Sequence, residues 1–225
     1  MNPAISVDQI YIKNALAVVQ RILSIKIFES VKNSTGKVAS KLSGDLRAQE
    51  YYWASLKKLA FTIHNKNEIL KTPKIFGNVG AIENSFNSMV LMSRACLDSL
   101  ACTVNLVYGD KLKETNVRPL EIEFLKTIHH KIIKEIFLEK RNKWLAINEY
   151  RDLIIHRSAV MPLLKGPNPE VPFKSIGVVK DPHTFFLNIS NPKKLEQLVI
   201  DMEKKINEIE NLTLDTFIKI SEAFD

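Results

Sequence analysis

Three residues in the C-terminal half of the chain combine side chains that can do acid–base chemistry at a phosphate. They are Arg151, Asp152 and His156. An imidazole titrates near neutral pH and can accept or donate a proton. A guanidinium presents a planar fork of donors to phosphate oxygens. Asp152 precedes His156 by four residues, which is about 40° around a helix, so its carboxylate can orient the imidazole. The three residues are therefore candidates for catalytic proton transfer beside a bound phosphate.

The spacing of Arg151 and His156 constrains such a site. Five residues correspond to about 140° around a helix, so one narrow face does not hold both side chains. Either the long stem of Arg151 reaches around the helix, or a second protomer supplies the guanidinium. The flanking residues Tyr150 and Arg157 are candidates for further substrate contacts through phosphate. The competing interpretation is that Arg151 and Asp152 are solvated surface residues and that His156 is a hydrogen-bonded histidine at a helix end.

The other reactive residues form no comparable pattern. His129 and His130 are adjacent, which separates them by about 100° on a helix, and no cysteine nearby completes a metal site, so surface histidines are favoured. Cys96 and Cys102 are six residues apart, about 120° on a helix, so a disulfide between them is not expected. Reduced thiols fit a cytoplasmic location. The sequence has no GxGxxG and no Walker-type loop, and we expect neither a metal nor a cofactor.

Apolar periodicity predicts that long helices position these residues. The clearest is a helix over 81–108, which has no glycine or proline and places Arg94 and Asp98 at i,i+4, where an ion pair forms easily. Asp45 is the predicted N-cap of a helix that ends before Pro73. A first helix is predicted over about 8–32, ended by turn-forming residues 33–36.

The motif lies in the next helical stretch. Pro119 is suited to the first position of a helix running through Phe137, and residues 143–160 are helical as well. The pattern leaves open whether these are one helix or two. Six of the nine prolines fall between 162 and 192, around two β-prone runs that predict a small hairpin near 175–189. The predicted fold is mainly α: an up-and-down bundle of about five long helices with this β-hairpin insertion.

In this helical setting the sequence resembles the HEPN superfamily of helical-bundle domains. The family motif is Arg, a polar residue, three further residues and His, and Arg151, Asp152 and His156 match it position for position. Residues 86–108 also resemble the helix that precedes the motif-bearing hairpin in such domains. The resemblance implies one HEPN-like domain over residues 1–225, with a core at about 45–160, a hairpin at about 173–190 and a C-terminal helix at about 192–224.

The resemblance also implies a function, metal-independent cleavage of RNA, commonly by toxins or phage-defence effectors. Two protomers of such proteins place their motifs at a shared cleft. RNA carries its own nucleophile, the 2′-OH, so the site has to remove that proton, neutralise the phosphate and protonate the leaving 5′-oxygen. The implied partners are RNA, a second copy of the chain, and a cognate antitoxin or regulatory protein. The alternative is a non-catalytic module of the same fold that binds RNA, nucleotide or another protein.

Composition is consistent with these expectations. The chain has 225 residues, 45% of them apolar, which excludes a largely disordered protein. A net charge of +7 favours anionic partners such as nucleic acid. The longest stretches without a charged residue have 11 residues, 99–109 and 182–192, whereas a membrane-spanning helix needs about 20, so no membrane span is expected. The N-terminus lacks the pattern of a signal peptide.

Overall fold

The computed structural model describes residues 17, 19–21, 23–42, 44–73, 79–156 and 192–224. From residue 25 onward these form helices that we number in chain order. Their bounds are α1 Ile25–Lys41, α2 Leu46–Lys71, α3 Val79–Tyr108, α4 Ile122–Lys126, α5 Lys131–His156 and α6 Pro192–Glu222, with a 3₁₀ turn at Glu114–Asn116. The mainly α, bundle-type fold predicted from the sequence is confirmed for these residues. The predicted hairpin near 175–189 lies outside them.

Local signals decide where α2 begins. Asp45 is its N-cap, as predicted, and the carboxylate accepts a hydrogen bond from the backbone N–H of Ala48 at 2.9 Å. Gly44 precedes it with φ +101°, a left-handed conformation that glycine adopts without steric cost. The chain therefore turns sharply between α1 and α2.

The predicted end of the first helix at 33–36 is wrong. α1 continues through these residues to Lys41. Ser34 does not break the helix because its hydroxyl bonds back to the carbonyls of Ser30 and Val31, at 3.2 and 3.0 Å. Thr35 is buried against the hydroxyl of Tyr52 on α2. Tertiary packing here outweighs the turn propensity of the sequence.

The predicted helix from Pro119 through Phe137 is also wrong, because the chain breaks between α4 and α5. Thr127 caps the short α4 through its hydroxyl, which donates to the carbonyl of Phe124 at 2.7 Å. The N–H of His129 then donates to the carbonyl of Tyr108 at 2.8 Å, which ties the break to the end of α3. α5 is continuous from Lys131 to His156, so residues 143–156 belong to one helix with those before them.

The long helices pack side by side with alternating direction. α3 has the bounds that the sequence predicted to within two residues. It runs antiparallel to α2, with the ammonium of Lys58 donating to the hydroxyl of Ser99 at 2.6 Å. α5 runs antiparallel to α3. α6 contacts α1, α2, α3 and α5 and buries aromatic residues such as Phe217 against Tyr52.

Helix α3 is apolar enough to raise the question of a membrane. By length and composition alone, Ala81–Tyr108 could cross one, since its most apolar 18 residues have a mean hydropathy of 1.4. The prediction of no membrane span from the spacing of charged residues is therefore not confirmed by the composition of this helix. About 61% of its most apolar stretch is buried inside the bundle, which is also how the core helix of a water-soluble protein behaves.

Candidate functional site

The last two turns of α5 carry Arg151 and Asp152. Both side chains are partly exposed, 38% and 44%. The guanidinium of Arg151 donates from Nη1 to Oδ1 of Asp152 at 2.8 Å. This uses one of its five N–H donors, so the others remain available to a phosphate.

Asn148 holds the other oxygen of Asp152. It lies one turn earlier on α5, and its amide Nδ2 donates to Oδ2 at 2.9 Å. The carboxylate is therefore held by a donor at each oxygen, which restricts its rotation. Each oxygen still has a free lone pair for a further donor.

A residue of α3 extends this arrangement. Arg94, only 13% exposed, donates from Nη1 to the amide oxygen of Asn148 at 2.7 Å. Its Nε also donates to Asp98 at 3.0 Å, which confirms the ion pair predicted from the i,i+4 spacing. Residues Asp98, Arg94, Asn148, Asp152 and Arg151 thus form one continuous hydrogen-bonded row, which we call the polar chain.

The polar chain has a simple electrostatic balance. Two guanidinium groups alternate with two carboxylates, and the Asn148 amide links the two ion pairs. Because Arg94 bonds to the oxygen of that amide, the NH₂ group must face Asp152. The partly buried charge of Arg94 therefore fixes the amide orientation that in turn holds Asp152.

His156 is the final residue of α5. The helix is unbroken from Asp152 to His156, so their backbones are one turn apart, as the spacing predicted. The side chain of His156 and all of Arg157 lie outside the described residues. The assignment of Arg151, Asp152 and His156 as catalytic residues therefore stays a prediction.

Tyr150 occupies a different face of α5. It is 7% exposed, and its ring packs edge-on against Phe86 of α3 with centroids 6.2 Å apart. Burial, and then the nearby carboxylates Glu208 and Glu149, raise the pKa of its hydroxyl above the ordinary value. The hydroxyl is buried without a hydrogen-bond partner. Tyr150 thus does not share the exposed surface of Arg151.

The side chains of His129, His130, Cys96 and Cys102 are not part of the polar chain. His129 is exposed and pairs with Asp110 at 2.7 Å, while the ring of His130 packs on Tyr108. Burial raises the pKa of the Cys96 thiol to about 12 and that of Cys102 to about 11. Among the residues with described positions, no three His, Cys, Asp or Glu side chains come together as metal ligands.

Sequence reasoning missed the connection from Arg94 through Asn148 to Asp152. The i,i+4 spacing of Asn148 and Asp152 was a usable signal, since a short amide reaches a carboxylate one turn away. Nothing local indicated that Arg94, 54 residues earlier, would reach Asn148.

Comparisons of this chain with protein-family models, with curated proteins and with solved structures find no match.

Proposed function

We propose that this protein is a metal-independent endoribonuclease of the HEPN type, with Arg151, Asp152 and His156 at its site. The observation that supports the proposal most is the polar chain, which holds Asp152 one helical turn before His156. In the proposed reaction His156 moves protons at the 2′-OH or the 5′-oxygen. Arg151 neutralises the phosphate, and Asp152 orients the imidazole.

A pair of protomers is part of the proposal. Arg151 is held toward Asp152 of its own helix, and the 140° offset between Arg151 and His156 disfavours one protomer presenting both to one phosphate. In a symmetric dimer each His156 would face a phosphate that the other protomer's Arg151 contacts. The proposed setting is the cytoplasm, with an antitoxin or regulatory protein as a further partner.

The test is cleavage of a mixed RNA panel by purified protein in EDTA. Wild type should cleave, and His156→Ala and Arg151→Ala should each lose at least about a hundredfold in rate. His64→Ala and Arg118→Ala are matched controls, because both residues are exposed and lie on other segments. If the wild-type protein cleaves no RNA of the panel, the proposal that it is an enzyme is contradicted. Full activity in His156→Ala would contradict the site.

A non-catalytic binding module is the second candidate, and one observation favours it. The guanidinium of Arg151 pairs with Asp152 of its own helix, which is also how a structural ion pair looks. Such a module would bind RNA with steep salt dependence but leave it intact. Expression in a bacterial host separates the two candidates: growth inhibition relieved by His156→Ala favours the enzyme, and no inhibition with intact RNA binding favours the module.

A further inference from the structure

A groove of about 570 Å³ lies between α5 and α6, on the side of α5 away from Asn148 and Asp152. The α5 side consists of residues at three- and four-residue steps, from Lys140 through Lys143 and Ile147 to Tyr150. The α6 side runs from Lys205 to Asp215. The volume of the groove is that of an ordinary small-molecule binding site.

The charges along this groove are unevenly compensated. Lys140 pairs with Asp215 at 2.6 Å and with Glu139 at 2.9 Å, and these two bonds raise the pKa of the lysine, so it stays charged. Lys205 pairs with Glu208 at 3.0 Å. Lys143 is exposed and has no ion pair with any residue of the described ranges. Among the three lysines that line the groove, Lys143 is therefore the one without a carboxylate partner in the described ranges.

The groove also offers an apolar floor and further polar groups. Ala146 and Ile147 of α5 face Ile209 and Leu212 of α6. Asn211 adds an amide, which is both donor and acceptor. Tyr150 also lines the groove, and its hydroxyl is buried and unpartnered; a buried donor in this state normally finds a partner in water or ligand.

We propose that this groove binds a small phosphate ester whose body is flat or apolar, independently of the site at Arg151. The phosphate pairs with Lys143, which brings three donors to a group with several oxygens. The body lies on Ile147, Ile209 and Leu212. Two sources share this chemistry: an aryl or alkyl phosphate, and a nucleoside monophosphate, whose hydroxyls would donate to the groove carboxylates.

The test is calorimetric titration of the full chain with phenyl phosphate, adenosine 5′-monophosphate, inorganic phosphate and benzoate. We expect at least one of the two esters to bind saturably, and inorganic phosphate and benzoate to bind at least about tenfold more weakly. If phenyl phosphate binds more tightly than the nucleotide, the ligand is an aryl or alkyl phosphate. If the nucleotide binds more tightly, the ligand is a nucleoside monophosphate. Benzoate binding as tightly as the esters would overturn the phosphate assignment, and no saturable ester binding would overturn the site.

Variants locate the binding. Lys143→Glu should weaken it at least about tenfold, and Ala146→Trp should abolish it by filling the groove. Lys131→Glu is the matched control, because it makes the same charge change on the same helix at an exposed position outside the groove. Equal losses in both glutamate variants would overturn the proposal in favour of a bulk charge effect. Arg151→Ala should retain binding, which keeps this result separable from the RNA-cleavage test.

Discussion

Replacing Arg94 by Met tests the polar chain as a stabilising unit. Met keeps much of the side-chain volume but removes the bonds to Asn148 at 2.7 Å and to Asp98 at 3.0 Å. The first is a charge-assisted bond from a mostly buried guanidinium, worth about 1.5 kcal/mol or more. The second joins a half-exposed carboxylate, so solvent screening limits it to about 0.5 kcal/mol.

We therefore expect Arg94→Met to lower the free energy of unfolding by about 2 kcal/mol, a fall in Tm of about 4–8 °C for a chain of this size. Urea denaturation followed by circular dichroism measures the free energy of unfolding, and a thermal scan measures Tm. Arg118→Met is the control, because its ion pair with Glu121 is 64% exposed on the arginine side and should be worth less than about 0.5 kcal/mol.

A double-mutant cycle with Asn148→Ala isolates the bond between the helices. The two changes should be non-additive by about 1 kcal/mol, since both remove the same interaction. Additive losses, or a loss in Arg94→Met no larger than in Arg118→Met, would refute the polar chain as a coupled unit.

Three further predictions concern the core and its titrating groups. Burial alone would raise the pKa of Asp215, but the bond to Lys140 outweighs burial and the pKa is lowered from 3.8. The stability that this ion pair contributes is therefore present above pH 3.8 and is lost as the pH falls below that value. Because the carboxylate is 42% exposed, solvent screening limits the pair, and Asp215→Asn should cost about 0.5 kcal/mol at pH 7, with the difference from wild type closing below pH 4 in acid denaturation curves. Cys96 should resist a thiol reagent at pH 8 in the native protein and Cys102 should react only slowly, because burial raises both thiol pKa values well above 8, whereas both should react at once in denaturant. Tyr52→Phe removes a buried hydroxyl that bonds to Thr35 at 3.2 Å and Ser221 at 2.9 Å, and the two stranded hydroxyls should cost about 1–3 kcal/mol in urea unfolding.

The ends of a helix could be predicted from the sequence where residues close in the chain determine them. The N-cap at Asp45 and the uninterrupted span of α3 depend on residues within a few positions, so the sequence suffices. The break at 127–130 does not follow this rule. Ile128 continues the apolar period of the surrounding helices, and the break is held by the bond from His129 to Tyr108, 21 residues earlier. α1 likewise continues through turn-forming residues because the hydroxyl of Thr35 forms a hydrogen bond with the hydroxyl of Tyr52 on α2.

The candidate site divides in the same way. Residue spacing was enough to predict that Arg151, Asp152 and His156 share the end of one helix at fixed angular offsets, because helical geometry depends only on spacing. Helix packing, in contrast, brings Arg94 of α3 to Asn148, and it buries Tyr150 while Arg151 stays partly exposed. These outcomes depend on how α3 and α6 dock on α5. Docking is the sum of many weak contacts between distant segments, which no local pattern of residues encodes.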